Sequence, residues 1–392
     1  MSVVALTQLF GITGILVVPF VFGGLIDTYN DSEEQAGLFV TIGLLGLAIG
    51  SMAASAYVNR VSRRGLAITA AVIGAAAYLI MMIHMTSTAL TVFELVAGLA
   101  SGVVLATSGA VGGTSHDPEK LFIQIAIFLA IGSAILTYVA SIGSASLGLR
   151  GVFLVEALIG CCSILLMAIV SADVMRMPSM VDPDAQDEEQ PAIALHAVNR
   201  RLVATTMASG FLLFAAWQAL WTYAERIGQD AGFDQPGVGV ILSVATFLGI
   251  PAALLCHWAA NFRGRLFSIG VFAVLNCIDG FFYVHYWFPA VFAAACALWG
   301  ALNSYVTPML YGLAATLGGA GRWVGTLTGF TLLGAAAGPV LAGALSSVLG
   351  VAGVGWFAIG LTIIGVLLLT PVGRWTDATL PRSAVKVESE LA

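Results

Sequence analysis

Apolar residues in this chain neither alternate nor mark a single helical face. They run on for about twenty positions at a time and are broken by short polar stretches. Twelve such runs cover residues 6–25, 36–57, 66–84, 90–111, 121–141, 151–170, 202–223, 238–256, 266–283, 288–311, 324–346 and 351–369. A helix of about 20 mainly apolar residues crosses roughly 30 Å of hydrocarbon, so each run predicts a membrane-spanning helix. Strands of a membrane barrel would be near ten residues long and alternating in character. The first run has no basic leader and no small-residue cleavage site, and it is read as a span rather than a signal peptide.

Composition narrows the class further. Apolar residues make up 59 % of the 392 and charged residues only 9 %, with a mean hydropathy of +0.98. Soluble chains carry about 25 % charged residues. A soluble enzyme, a nucleic-acid binder, a disordered protein and a disulfide scaffold are therefore excluded as classes. The five cysteines all fall in apolar runs and read as small buried hydrophobes. If the N-terminus is inside, the outer loops hold only Arg150 and Arg226 of the 15 basic residues. That asymmetry predicts cytoplasmic termini in an inner, cytoplasmic membrane.

The expected organisation is an N-terminal six-helix bundle over 1–172, an acidic cytoplasmic linker over 173–200, a C-terminal bundle over 201–372 and a cytoplasmic tail over 373–392. The linker holds Asp173, Asp182, Asp184, Asp187, Glu188 and Glu189 with three prolines, a solvated composition. A repeat supports the two bundles. Asn59-Arg60-Val61-Ser62-Arg63 after the second span lies over Asn261-Phe262-Arg263-Gly264-Arg265 after the eighth.

The loop after span two resembles the G-x-x-x-D-R-x-G-R-[RK] signature of the major facilitator superfamily. Ser55 stands for the first glycine, Asn59 for the aspartate and Ser62 for the second glycine, while Arg60, Arg63 and Arg64 match. Gly148-Leu149-Arg150-Gly151-Val152-Phe153 is similar to the family's G-W-R-x-x-F. The run from Gly334 to Gly343 matches its G-x-x-x-G-P-x-x-G-G at every position but one glycine. The resemblance covers essentially the whole chain. It implies an all-α membrane protein of twelve transmembrane helices in two pseudo-symmetric bundles that rock around a central site. It also implies that Asn59, Arg60, Arg63 and Arg64 form a conformational latch, with Asn59 removing its acidic part. Spans one, four, seven and ten would face the cavity, and three, six, nine and twelve would pack outside.

Candidate chemistry comes from the few polar groups in the spans. No Lys or Arg lies deep in any of them, which disfavours phosphorylated or dianionic solutes. Glu94, Glu156 and Asp279 do lie within spans. Holding a carboxylate ionised in a low dielectric is costly, so such groups can carry protons near neutral pH. At 1.5 Å per residue, Glu94 and Glu156 sit roughly 6–8 Å from the outer surface, and Asp279 roughly 20 Å from the inner one. Glu94 is the first candidate for proton coupling and Asp279 the next. Span seven presents Phe214, Trp217, Gln218, Trp221 and Glu225 at helical spacing, and span ten presents Trp299, Asn303, Thr307 and Tyr311. Flat aromatic surface with a few hydrogen-bonding groups is the composition of an organic-ligand pocket. Trp217, Gln218, Trp299, Asn303 and Thr307 are the core candidates, with Gln8, Gln124 and Tyr138 in support. Trp221 and Tyr223 are assigned to the interfacial belt. Pro308 is expected to loosen span ten.

No G-x-S-x-G, H-E-x-x-H or P-loop occurs, and no cofactor or metal is implied. The expected function is secondary active transport of a small organic solute with an aromatic or apolar body, neutral or weakly acidic. Proton-coupled uptake by a single chain is preferred. The alternatives are proton-antiport export of amphipathic compounds and uncoupled facilitated diffusion.

Overall fold

The computed structural model describes residues 2–58, 61–83, 87–112, 118–169, 200–317 and 322–379. Among these, every regular element is a helix: α1 (Ser2–Leu16), α2 (Val18–Tyr29), α3 (Glu33–Tyr57), α4 (Arg63–Ile83), α5 (Ser87–Gly112), α6 (Pro118–Leu147), α7 (Leu149–Ile169), α8 (Arg200–Asp230), α9 (Gln235–Phe247), α10 (Gly249–Arg263), α11 (Arg265–Val284), α12 (Pro289–Thr316), α13 (Arg322–Leu349) and α14 (Val351–Thr379). Ten of these helices are long and apolar enough to cross a membrane, Gln235–Ala253 across α9 and α10 makes an eleventh span, and α1 with α2, bent by 42°, makes a twelfth. The linker over 173–199 and the end of the tail lie outside the described residues. The tail begins later than expected, because α14 continues past residue 373 to Thr379.

Two spans are broken, each near a proline. The first span breaks at Val17, just before Pro19. The eighth breaks at Leu248, ahead of Pro251. Pro308 behaves otherwise than expected, since α12 runs unbroken through it. There the Thr307 hydroxyl donates to the Asn303 carbonyl at 2.8 Å, supplying a local bond beside the proline.

A repeat of 202 residues is visible in the backbone itself. Gly148 and Gly350 both have positive φ, 60° and 68°, and turn the chain between the last two spans of each half. Around each turn the same bonds form: Gly148 to Ser144 and Gly151 to Gly148, then Gly350 to Ser346 and Gly353 to Gly350. The same offset relates the N-caps Ser32 of α3 and Asp234 of α9, whose side chains accept from Gln35 N and Gly237 N.

Each half also ties its third span to its sixth at the end of the bundle that carries Val58, Val61 and Gly264. In the first half, Arg64 donates from Nε to the Met167 carbonyl at 3.0 Å and from Nη2 to the Ala168 carbonyl at 2.8 Å. In the second, Asp377 near the end of α14 accepts from the Arg265 and Leu266 amides at 2.8 and 3.0 Å. Arg64 thus holds a helix end within its own half. Arg63 is buried, and Asn59 and Arg60 lie outside the described residues.

Candidate functional site

The halves meet tightly at the end of the bundle where α2 gives way to α3 and α8 to α9. Helix α3 enters at Glu33, and the hydroxyls of Tyr223 on α8 and Ser346 on α13 both donate to its Oε2. Helix α9 enters 202 residues later at Gln235, whose amide donates to Ser144 Oγ on α6 at 2.8 Å and to Glu225 Oε1 on α8. The backbones between them almost touch. A Cβ on Gly37 would sit 2.6 Å from the Pro339 carbonyl oxygen, and one on Gly343 would sit 2.6 Å from that of Glu33. Small residues permit this approach. Arg226 and Asp27 add an exposed ion pair at 3.4 Å.

A further tie depends on the break in the first span. Pro19 has no N–H to give to the carbonyl four residues back, at Ile15. That carbonyl instead accepts from Trp221 Nε1 of the opposite half, at 2.9 Å. Together these contacts close one end of the molecule.

Beneath the closure lies a cavity of about 950 Å³. Its walls come from both halves: Gln8, Ile12 and Ile15 of the first span, Ser51 and Ser55 of α3, Leu105 of α5, and residues of α8, α12 and α13. Ser55, Met52 and Gly325, at the end opposite the closure, are exposed, so the cavity opens there. Among the described lining residues none is charged.

At the closed side of this cavity three indoles stack. Trp299 lies 5.0 Å from Trp217 and 4.7 Å from Trp221 between ring centroids, at interplanar angles of 12° and 3°. Each such pair is worth about 0.5–1.5 kcal/mol beyond its buried area. The indole N–H groups of Trp217 and Trp299 are buried without a partner, and so is Asn303 Oδ1. Buried polar atoms normally find partners, so these two donors and one acceptor are unsatisfied groups packed behind the cavity wall.

The structure brings together Trp217, Trp299, Asn303, Thr307 and Gln8, all of which line the cavity. Two expected members face elsewhere. Gln218 is fully buried against Gly338 of α13, and Tyr138 is exposed on the outside of α6. The Gln124 side chain lies outside the described residues. Trp221 and Tyr223 are not belt residues: one completes the indole stack and the other reaches Glu33 in the closure. Helix amphipathicity alone could not separate these fates, because successive turns of α8 face the cavity and the closure in turn. The threonines of α13 (Thr326, Thr328 and Thr331) also line the cavity, and a polar stripe in span eleven is the signal that marks them.

The carboxylates lie off the cavity. Glu94 is next to Glu156, whose carboxyl bonds the Tyr78 hydroxyl, and it lies across Gly43 of α3. Asp279 is buried beside Tyr283 and Cys296. The same offset of 202 relates Glu94 to Cys296, so each half places a small polar cluster at one position.

Residues 3–320 match the model of the Major Facilitator Superfamily. No curated protein matches the chain. Among solved structures, a mutant form of the nucleoside transporter NupG superposes with a TM-score of 0.73 at 13 % identity, covering 97 % of this chain and 98 % of that one. A D-xylose-proton symporter gives 0.71 at 15 % identity, covering 97 % of each chain. The inward-open xylose transporter XylE from E. coli gives 0.68 at 15 % identity, over 93 % of this chain and 94 % of that one. At these identities the likeness is one of fold.

Proposed function

The chain belongs to the major facilitator superfamily, and from that premise we propose that it carries a small, neutral organic solute with a flat or apolar body, taken up with a proton. The observation that carries this reading is the Trp217–Trp299–Trp221 stack at the head of an uncharged cavity. A stacked indole surface favours a planar or apolar ligand face. Gln8, Thr307 and the threonines of α13 on the cavity wall favour a ligand with a few hydrogen-bonding groups. An anionic solute would find no cation among the described lining residues. That the structural neighbours include transporters of nucleosides and of xylose agrees with an uncharged organic cargo.

The working cycle is a rocking of the two halves. The cavity is open at the end that the basic residues assign to the cytoplasm, so this is the inward-facing state, and the closure around Glu33 and Gln235 is its outer seal. Opening the seal while the opposite end closes would expose the cavity to the other side.

Glu94 is the proposed proton carrier, acting with Glu156. Two carboxylates in one apolar site cannot both ionise cheaply, and a proton shared between them would relieve their repulsion. Glu94 lies across the α3–α5 contact, and α3 enters the outer seal at Glu33. Protonation there would thus act through helix packing and not by touching the solute.

Reconstituted vesicles test both parts. Trp217→Ala and Asn303→Ala should weaken solute binding roughly 5- to 150-fold, from about 1–3 kcal/mol of lost contact, with insertion unchanged. Glu94→Gln should abolish accumulation driven by a pH gradient yet preserve exchange between loaded vesicles, because exchange moves no net proton. Wild-type binding in both cavity variants would move the pocket elsewhere. Continued accumulation by Glu94→Gln would make Glu94 structural. Cysteines placed in 171–200 should be shielded from an impermeant thiol reagent in intact cells, and labelling from outside would reverse the assigned orientation.

A further inference from the structure

A second cavity, of about 410 Å³, lies away from the central one, in the groove between the second half of α11 and the first half of α12. Its walls are nearly all apolar: Ile278, Phe282, Phe288, Val291 and Leu298 line it with three alanines. Ile278 and Phe288 are exposed, so the groove faces the surrounding bilayer rather than the partner half. One lining residue breaks the pattern. Asp279 is 1 % exposed, and neither carboxyl oxygen has a hydrogen-bond partner. Tyr283 and Cys296 are its polar neighbours, and neither bonds to it.

A buried carboxyl with no partner is costly. It stays in place of an apolar residue only at some loss of stability, and a ligand that satisfies it would recover that loss. The groove states what such a ligand must be. It needs donors for two oxygens, which an ammonium group has and a single hydroxyl lacks. It needs an apolar body to fill the rest of the groove. Phe282 and Phe288 stand in the same wall, and aromatic rings attract a cation placed over their faces. Asp279 lies five residues before the end of α11 at Val284, roughly 8 Å along the helix. An amphipathic molecule lying in the outer leaflet could place its charged end there.

We propose that the groove between α11 and α12 is a second binding site, which takes a lipophilic amine from the bilayer and seats its ammonium on Asp279. The site is distinct from the central cavity but not remote from it. Tyr283, beside Asp279, has its ring 6.5 Å from that of Trp299, so an occupant would press on the same helix that bears the indole stack.

Thermal unfolding of the full-length protein in detergent tests the site, with 4-phenylbutylamine as the probe and 4-phenylbutanol as its uncharged match. The amine should raise Tm in a dose-dependent way, and the alcohol should not. Asp279→Asn should weaken the apparent affinity for the amine roughly tenfold or more, the worth of a charge-assisted bond. Ala294→Phe, which fills the groove from α12 and leaves Asp279 in place, should abolish the response and stands as the deciding variant if Asp279→Asn fails to fold. Trp217→Ala should leave the response intact. Equal stabilisation by amine and alcohol, an unchanged response in Asp279→Asn or Ala294→Phe, or a response lost in Trp217→Ala would each overturn the assignment, the last by placing the amine in the central cavity.

Discussion

At the closed end of the molecule, the two halves present one position in two chemistries. Helix α3 begins at Glu33 and α9 at Gln235, 202 residues apart, and each meets a serine of the other half, Ser346 or Ser144. A third partner joins each pair, and both come from α8: Tyr223 on Glu33 and Glu225 on Gln235. At the equivalent positions of the first span stand Val21 and Gly23, which offer no hydrogen-bonding side chain. One side of the seal is therefore a carboxylate that accepts two hydroxyls, and the other is an amide that donates to a serine and a carboxylate. Duplication supplied the geometry. Later divergence of a few side chains made α8 the helix that holds both sides shut.

The largest expected effect comes from the backbone contacts beneath these side chains. Gly37→Val would drive a side chain into the Pro339 carbonyl, and neither backbone can yield without parting the halves. Spin labels at Glu34 and Ser347 should then move apart, with the population shifted away from the closed arrangement. Gly239→Val at the symmetry-related position should also part the halves but by less, since it meets the Ser141 side chain, with the nearest backbone atom, Ser141 Cα, at 3.8 Å. Equal shifts from the two would refute this account of the seal.

Smaller effects should follow from exchanging the paired residues. Gln235→Glu removes the donor to Ser144 and sets a second carboxylate against the buried Glu225, at a cost of about 1–3 kcal/mol. Glu33→Gln keeps an acceptor for Tyr223 and Ser346 and loses only the charge assistance, about half the strength of those bonds. The same label pair should register a clear opening for the first variant and a slight one for the second. An opposite order would mean that Glu33, not α8, dominates the closure.

The smallest effects belong to the ties within each half. Asp377 caps the start of α11 as an N-cap does, and Asp377→Ala should lower stability by about 0.5–2 kcal/mol. Arg64→Met should cost about 0.5–1.5 kcal/mol for its two carbonyl bonds. Thermal unfolding reads both. Neither should change the spacing of labels across the closed end, because both ties lie inside one half. A change in that spacing for Arg64→Met would show that its bonds also act between the halves.

The spans, the two bundles and the family resemblance were all legible along the chain, because crossing a membrane requires long uninterrupted apolar helices and leaves little else for the sequence to encode. The same holds for the aromatic stripes on α8 and α12, since residues three or four apart share a helix face whatever surrounds it. What a face meets is another matter. Gln218 and Trp217 are neighbours in the chain, yet one is buried against Gly338 and the other lines the cavity. Trp221 and Tyr223 looked like belt residues because aromatics at a span's end usually are, but the packing of α8 took one into the stack and the other into the seal. Nothing in the order of residues announced that Pro19 would free the Ile15 carbonyl for Trp221. Local geometry lets the sequence decide which groups share a helix face; the pairing of Glu33 with Ser346, Glu94 with Glu156 and Asp279 with an apolar groove depends on how helices far apart in the chain cross, and only their packing decides that.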